Sequence, residues 1–327
     1  MKRLLALVFI SVALLACVER AQGQPSSTVG LTERPLTMVV PFAAGGGSDV
    51  LARLLAEKLN ALIKQAVIVD NKPGANGLIA SQFVENSKPD GYTLMLGSNS
   101  THVIAPLLLP DKVTGEQFRK KFTLISIVAE TPLVLAVDGK SAFKDLQEFI
   151  VPGSKELTFG TFGVHSSPHL MGALLAAQSG ARLVHIPYKG SAPAITDLLG
   201  GQINSVFLTV AAISSYVESG HVRALAVTGR ERVATLPDVP TFGERGIAGL
   251  ENPGWFAIFA PANLPDQIVS YLRAKVREAM SHSDMQAKLR ELGLQDAKLT
   301  TASEVQVWDE SIARTKDILT RTGLDLN

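Results

Sequence analysis

The sequence predicts an α/β protein of two lobes, and three observations predict it. Short apolar runs alternate with amphipathic helical stretches along most of the 327 residues. Glycine-, serine- and threonine-rich loops fall where those strands hand over to helices. The chain also exceeds the length that a single hydrophobic core usually serves.

The N-terminus reads as an address rather than as part of the fold. Lys2 and Arg3 precede an apolar run from Leu4 to Cys17, too short to span a bilayer comfortably and followed by polar residues. Residues 1–23 are therefore set apart as a signal peptide. Ala21-Gln22-Gly23 offers the small residues that signal peptidase needs, giving a start near Gln24. Leu14-Leu15-Ala16-Cys17 is the alternative, a lipobox-like segment that would leave a lipid tether on Cys17. Cys17 is the sole cysteine, so once it is removed no thiol, disulfide or thiolate metal ligand remains. The rest carries 28 basic against 29 acidic side chains with no basic run, which argues against nucleic-acid and membrane-surface partners.

Each later element follows from its pattern. Leu36–Val40 reads as a buried strand, and Val50, Leu51, Leu54, Leu55 and Leu59 fall on one stripe of a helix over Asp49–Lys64. Ala66–Val69 is strand, Asn76–Asn86 helix, and Tyr92–Leu96 strand, entered through the Pro89-Asp90-Gly91 turn. This β-α-β-α-β order predicts a parallel sheet covered on both faces. A strand-rich stretch over Leu124–Val137 leads to a second series. Leu157–Thr161 is strand and Pro168–Gln178 helix, with Pro168 suited to a first helical position. Leu183–Ile186 is strand, Ser191–Leu199 a helix closed by Gly200-Gly201, and Ile203–Phe207 and Ala224–Thr228 are strands. An apolar strand at Trp255–Ala260 and three polar-faced helical segments complete the chain.

In open α/β sheets ligands collect where strands end and helices begin. The loop Phe42-Ala43-Ala44-Gly45-Gly46-Gly47-Ser48-Asp49 can turn its backbone N–H groups toward an anion held at a positive helix end. It is neither a P-loop nor a Gly-x-Gly-x-x-Gly dinucleotide loop, so no cofactor is predicted. Asp49 is read as a cap and loop brace; the bland alternative is a tight turn with glycines serving geometry only. A second loop runs Ser98-Asn99-Ser100-Thr101-His102, and a third Gly163-Val164-His165-Ser166-Ser167-Pro168-His169. Both offer hydroxyls and amides without charge, which suits hydrogen bonding to carboxylate oxygens. Lys189, in Pro187-Tyr188-Lys189-Gly190-Ser191, either attracts an anionic ligand or is simply solvated. Enzyme readings find little: no Gly-x-Ser-x-Gly elbow surrounds Ser166 or Ser167, so no catalytic residue is assigned. His165 and His169 have metal-like spacing but no third ligand nearby, so no metal site is predicted, and His185 reads as a core histidine.

In this order, several pieces resemble the extracytoplasmic receptors of tripartite tricarboxylate transporters, the Bug family. They are the 41–49 loop, Asn71-Lys72-Pro73-Gly74-Ala75-Asn76-Gly77, Pro89-Asp90-Gly91-Tyr92-Thr93-Leu94 and Val184-His185-Ile186-Pro187-Tyr188-Lys189-Gly190-Ser191-Ala192-Pro193. Asp197-Leu198-Leu199-Gly200-Gly201-Gln202, Arg223-Ala224-Leu225-Ala226-Val227-Thr228 and Leu236-Pro237-Asp238-Val239-Pro240-Thr241 continue it, so the likeness covers about residues 34–325. The resemblance implies a type II periplasmic-binding-protein fold: two doubly wound lobes joined by two crossing strands, here placed near Leu133–Val137 and Trp255–Ala260. One lobe would be 30–132 plus 261–327 and the other 133–260. It implies a monomer in the periplasm with no enzymatic activity, closing on a small carboxylate and passing it to the transporter's permease subunits. A receptor feeding a two-component sensor kinase is the alternative. The ligand contacts it implies are Phe42–Asp49, Ser98, Asn99, Thr101, Gly163, His165, Ser166, Ser167 and Thr209. Two departures stand out. Many relatives have Gly-Asn-Gly-Ser where this chain has Gly163-Val164-His165-Ser166, so His165 either joins the ligand's donors or caps a turn. Relatives commonly have Asp-Asn at Leu208-Thr209, and the missing acid points to a carboxylate without an amine, aromatic or branched.

Overall fold

A computed structural model describes residues 31–108, 115–153, 155–251, 254–297 and 299–323. The signal-peptide and Cys17 readings lie outside the described residues. Among the described residues, ten strands form two five-stranded sheets.

The first sheet is built from β1 (Leu36–Val40), β2 (Val67–Asn71), β3 (Thr93–Ser98), β4 (Phe122–Thr131) and β10 (Gly254–Pro261), in the order β2-β1-β3-β10-β4. Helix α1 (Gly47–Ile63) crosses from β1 to β2, burying Leu51, Leu55, Leu59 and Ile63 against the sheet. Each such side chain contributes about 1.5–3 kcal/mol of burial. Lys64 ends the helix in a left-handed conformation, its N–H returning to the Asn60 carbonyl. Helix α2 (Leu78–Glu85) crosses from β2 to β3 after a 3-10 turn at Ala75–Gly77. The second sheet holds β5 (Leu133–Asp138), β6 (Leu157–Thr161), β7 (Leu183–Pro187), β8 (Ser205–Thr209) and β9 (Val222–Val227), ordered β7-β6-β8-β5-β9. Helices α3 (Ser167–Ser179), α4 (Ser191–Leu199) and α5 (Val210–Glu218) accompany it, and α6 (Asp266–Ser281), α7 (Ser283–Glu291) and α8 (Thr301–Thr322) end the chain.

Most elements fall where periodicity puts them, and three findings differ. Neither sheet is wholly parallel: β10 runs antiparallel to β3 and β4, and β5 antiparallel to β8 and β9. A parallel sheet follows only from β-α-β connections, whereas β4, β5 and β10 enter from outside those units. Helix α5 follows β8 without the Gly or Pro punctuation that would have announced it. Lastly, β10 hydrogen-bonds β3 and β4 along its length, so residues 254–260 belong to the first sheet, not to the second-lobe share of 133–260. The return passage lies between Thr241, bridged to Val227 in the second sheet, and Gly254. The outward passage is a single residue, Pro132, between Thr131 of β4 and Leu133 of β5. Proline cannot donate to a ladder, which suits the point where the chain leaves one sheet for the other.

The C-terminal helix ties the halves together. Glu304 is 1% exposed and accepts hydrogen bonds from Ser126 Oγ (2.6 Å) and Ile127 N (3.2 Å), fixing α8 beneath the first sheet. Farther along, Ile318 joins Ile104 and Leu108 in one apolar cluster with Leu170 and Leu174 of α3. The lobes therefore share a hydrophobic seam besides the two strand passages.

Candidate functional site

Between the lobes lies a cavity of about 450 Å³. Four helices begin at its wall: α1 at Gly47, α3 at Ser167, α4 at Ser191, and α5 just after Thr209. None of their N-cap residues (Gly46, Ser166, Gly190 and Thr209) makes a side-chain capping bond. The contrast with α8 is instructive, since its N-cap Thr300 accepts the Ser303 N–H there. At α3 and α5 the first amide is already taken, Ser167 N by Ser100 Oγ and Val210 N by the Pro132 carbonyl, both at 3.0 Å. This leaves the first-turn amides of α1 and α4 as donors awaiting an acceptor, with the aligned peptide dipoles adding positive potential there. Lys189 is the one Lys or Arg among the described wall residues, and no Asp or Glu is among them. Phe42, Phe162, Ile195 and Phe256 add apolar groups to the same wall.

The first loop owes its shape to Asp49. Its carboxylate is 3% exposed and accepts from Gly45 N (2.9 Å), Asn71 Nδ2 (2.9 Å) and Arg53 Nε (3.0 Å). Burial pushes this carboxyl upward in pKa, but the bonds from Arg53, Gly45 and Asn71 outweigh it and hold it below the ordinary aspartate value. Gly45 has φ +85°, a left-handed conformation that a side chain would oppose. Asp49 thus closes the turn from behind while residues 42–48 border the cavity.

The structure brings Phe42–Ser48, Ser98, Asn99, Ser167 and Thr209 to the wall. Asp49, Thr101, Gly163, His165 and Ser166 stand behind it, shaping the loops. Thr101 Oγ1 receives the Ser98 N–H at 2.9 Å, and the Ser166 hydroxyl donates to the Gly163 carbonyl at 2.6 Å. His165 (φ +60°) donates its N–H to His169 Nδ1 at 3.2 Å, and its carbonyl accepts from Asn76 Nδ2 at 2.6 Å. Turn-building and lobe contact occupy its backbone, and its side chain lies off the wall. His169 stacks on His185 at 3.8 Å, whose Nε2 meets Thr161 Oγ1 at 2.7 Å. Burial, reinforced by neighbouring histidines, lowers His169 to about 4 and His185 to about 3, so the stack is neutral near pH 7. Among the described residues no group of three His, Cys, Asp or Glu is placed to hold a metal.

The lobes touch each other around the cavity. Ser167 N donates to Ser100 Oγ at 3.0 Å, Asn76 reaches His165, and the rings of Phe42 and Phe162 meet edge to face at 5.9 Å. Sequence reasoning missed Thr131, Leu133, Tyr216, Trp255 and Leu292, all of which border the cavity. Thr131, Leu133 and Trp255 come there at the passages between the sheets and Tyr216 along α5, a helix that no local pattern announced. Alternation along β8 also separates the Leu208-Thr209 pair: Leu208 is fully buried in the core, and Thr209 faces the cavity.

Comparison with known proteins places this geometry. Residues 51–324 match the family described as "Tripartite tricarboxylate transporter family receptor". A UPF0065 protein of Bordetella bronchiseptica is 38% identical over 298 residues, covering 90% of this chain and 86% of that protein. Rpa4515 of R. palustris, solved with adipate, superposes with a TM-score of 0.82 at 31% identity, over 89% of this chain and 98% of that one. MatC of Rhodopseudomonas palustris, solved with bound malate, gives 0.79 at 30% identity, over 88% and 99%.

Proposed function

Since the chain belongs to the tripartite tricarboxylate transporter receptor family, we propose that it is a solute receptor for a small carboxylate bearing no ammonium group. It serves in the periplasm, closing its lobes on the ligand and passing it to the permease subunits of such a transporter. One observation carries the ligand class: the uncapped starts of α1 and α4 and Lys189 face a cavity whose described wall residues include no Asp or Glu. A carboxylate completes those amides, while an ammonium would enter with no carboxylate to meet it. The adipate and malate of the two Rhodopseudomonas proteins fit the same class. The rings of Phe42 and Phe162 on the cavity wall suit an apolar body on the ligand.

Capture needs no covalent chemistry. The amides and hydroxyls of one lobe bind first, and closure adds those of the other, favouring the closed form by its extra contacts. Thermal-shift measurements with adipate, malate, benzoate and 3-methylbutanoate against aspartate and glutamate test the reading. Stabilisation by non-amino acids supports it; a clear preference for aspartate or glutamate overturns it.

A further inference from the structure

Thr131 is the last residue of β4, immediately before the Pro132 passage, and it borders the cavity. It is 6% exposed, and its hydroxyl oxygen meets no hydrogen-bond partner. Among the described residues it is the only cavity-wall residue with a buried side-chain polar atom so left. Buried hydroxyls are normally satisfied, and leaving one unpaired is unfavourable. Beside it, Asn99 accepts the Trp255 N–H on its Oδ1 at 2.6 Å, which orients the amide and leaves Nδ2 without an acceptor among the described residues. Gly254 lies between the two. A Cβ there would stand 3.0 Å from Thr131 Cγ2 and 3.7 Å from Asn99 Oδ1, so its glycine keeps the floor open.

We infer that Thr131, Asn99 and the gap over Gly254 form a second polar subsite on the cleft floor, which reads an oxygen substituent on the ligand. The inference rests on the carboxylate-receptor reading and narrows it to hydroxy- or oxo-substituted carboxylates. The carboxylate lies on the amides of the 43–47 loop. The further oxygen accepts from Asn99 Nδ2 and, after rotation about its Cα–Cβ bond, from the Thr131 hydroxyl. Because Thr131 stands at the passage between sheets, this contact is made on the hinge side of the cleft.

Calorimetry with matched probe pairs tests it: succinate and malate, benzoate and 3-hydroxybenzoate, 3-methylbutanoate and 2-hydroxy-3-methylbutanoate. The protein should favour the oxygenated member of at least one pair by about 10- to 100-fold, the range of one hydrogen bond to a polar or charged oxygen. Thr131→Val should erase that preference by weakening only the oxygenated member, while the unliganded melting temperature holds or rises. Thr131→Ser should restore the preference, and Gly254→Ala should lower it by filling the gap. Equal affinity within every pair, or equal weakening of both members by Thr131→Val, overturns the subsite and leaves the receptor reading standing. Binding of no carboxylate at all overturns both.

Discussion

Replacing Gly46 with glutamate should weaken carboxylate binding about 100-fold while leaving the fold in place. Gly46 precedes α1 with φ −81° and ψ 167°, an extended conformation open to any residue. An added Cβ would meet only the Ala43 carbonyl oxygen, at 3.7 Å, an ordinary contact. The side chain therefore has room, and it sits at the wall where the first-turn amides point. With its carboxylate roughly 5 Å from a bound one and an effective dielectric constant of about 20, the repulsion is about 3 kcal/mol, on the order of 100-fold in affinity. Gly46→Gln is the control, since it adds the same bulk without the charge. Calorimetry at low salt should place the glutamate variant about 100-fold weaker than the glutamine variant. Melting temperatures should stay close, because an acidic group at a helix N-terminus is mildly stabilising. Affinities of the two variants within about threefold of each other would mean that the 42–48 loop does not hold the anion.

Other perturbations have distinct signatures. Asp49→Ala removes the acceptor of three donors in a buried turn and should cost about 3 kcal/mol of stability together with binding, both read by thermal melts with and without ligand. Asn76→Gly removes the bond to His165 while suiting the left-handed backbone there (φ 48°); ligand dissociation in stopped flow should quicken about tenfold, and an unchanged rate would deny that this bond helps hold the closed form. Burial lowers His102 from 6.5 to about 3. The unfolded chain then binds the proton more readily, so His102's contribution is complete above about pH 6.5 and fades as the pH falls toward 3, at up to about 1.4 kcal/mol per pH unit. Denaturant melts should show a shallower acid limb for His102→Gln, and an identical limb would refute that assignment.

The arrangement of the site divides into parts that were legible in order along the chain and parts that were not. Strands such as Leu36–Val40 and Leu157–Thr161 were readable to the residue because an apolar run bounded by turn residues permits few other structures. The three loops were readable because only small residues let backbone amides face a ligand. Within them, bordering the cavity and bracing the loop were indistinguishable. Thr101 and Ser166 have the residue types of binding groups, yet their partners lie within their own loops, and Asp49, read from the start as a brace, is held by Asn71 of the neighbouring strand. His165 is similar: its left-handed backbone and its contact with Asn76, 89 residues earlier, leave no local trace.

The sequence by itself determined the alternation of elements, the helix entrances and, through the likeness of its motifs, the receptor family. Those properties depend on neighbours a few residues apart, through side-chain period and turn chemistry. Only the tertiary structure decided that β10 belongs with the first sheet and that Pro132 marks the outward passage. It alone brought Thr131, Asn99 and Gly254 together on the cleft floor. Such placements depend on pairing between strands more than a hundred residues apart, where hydrogen-bond register and packing of whole faces choose the partner.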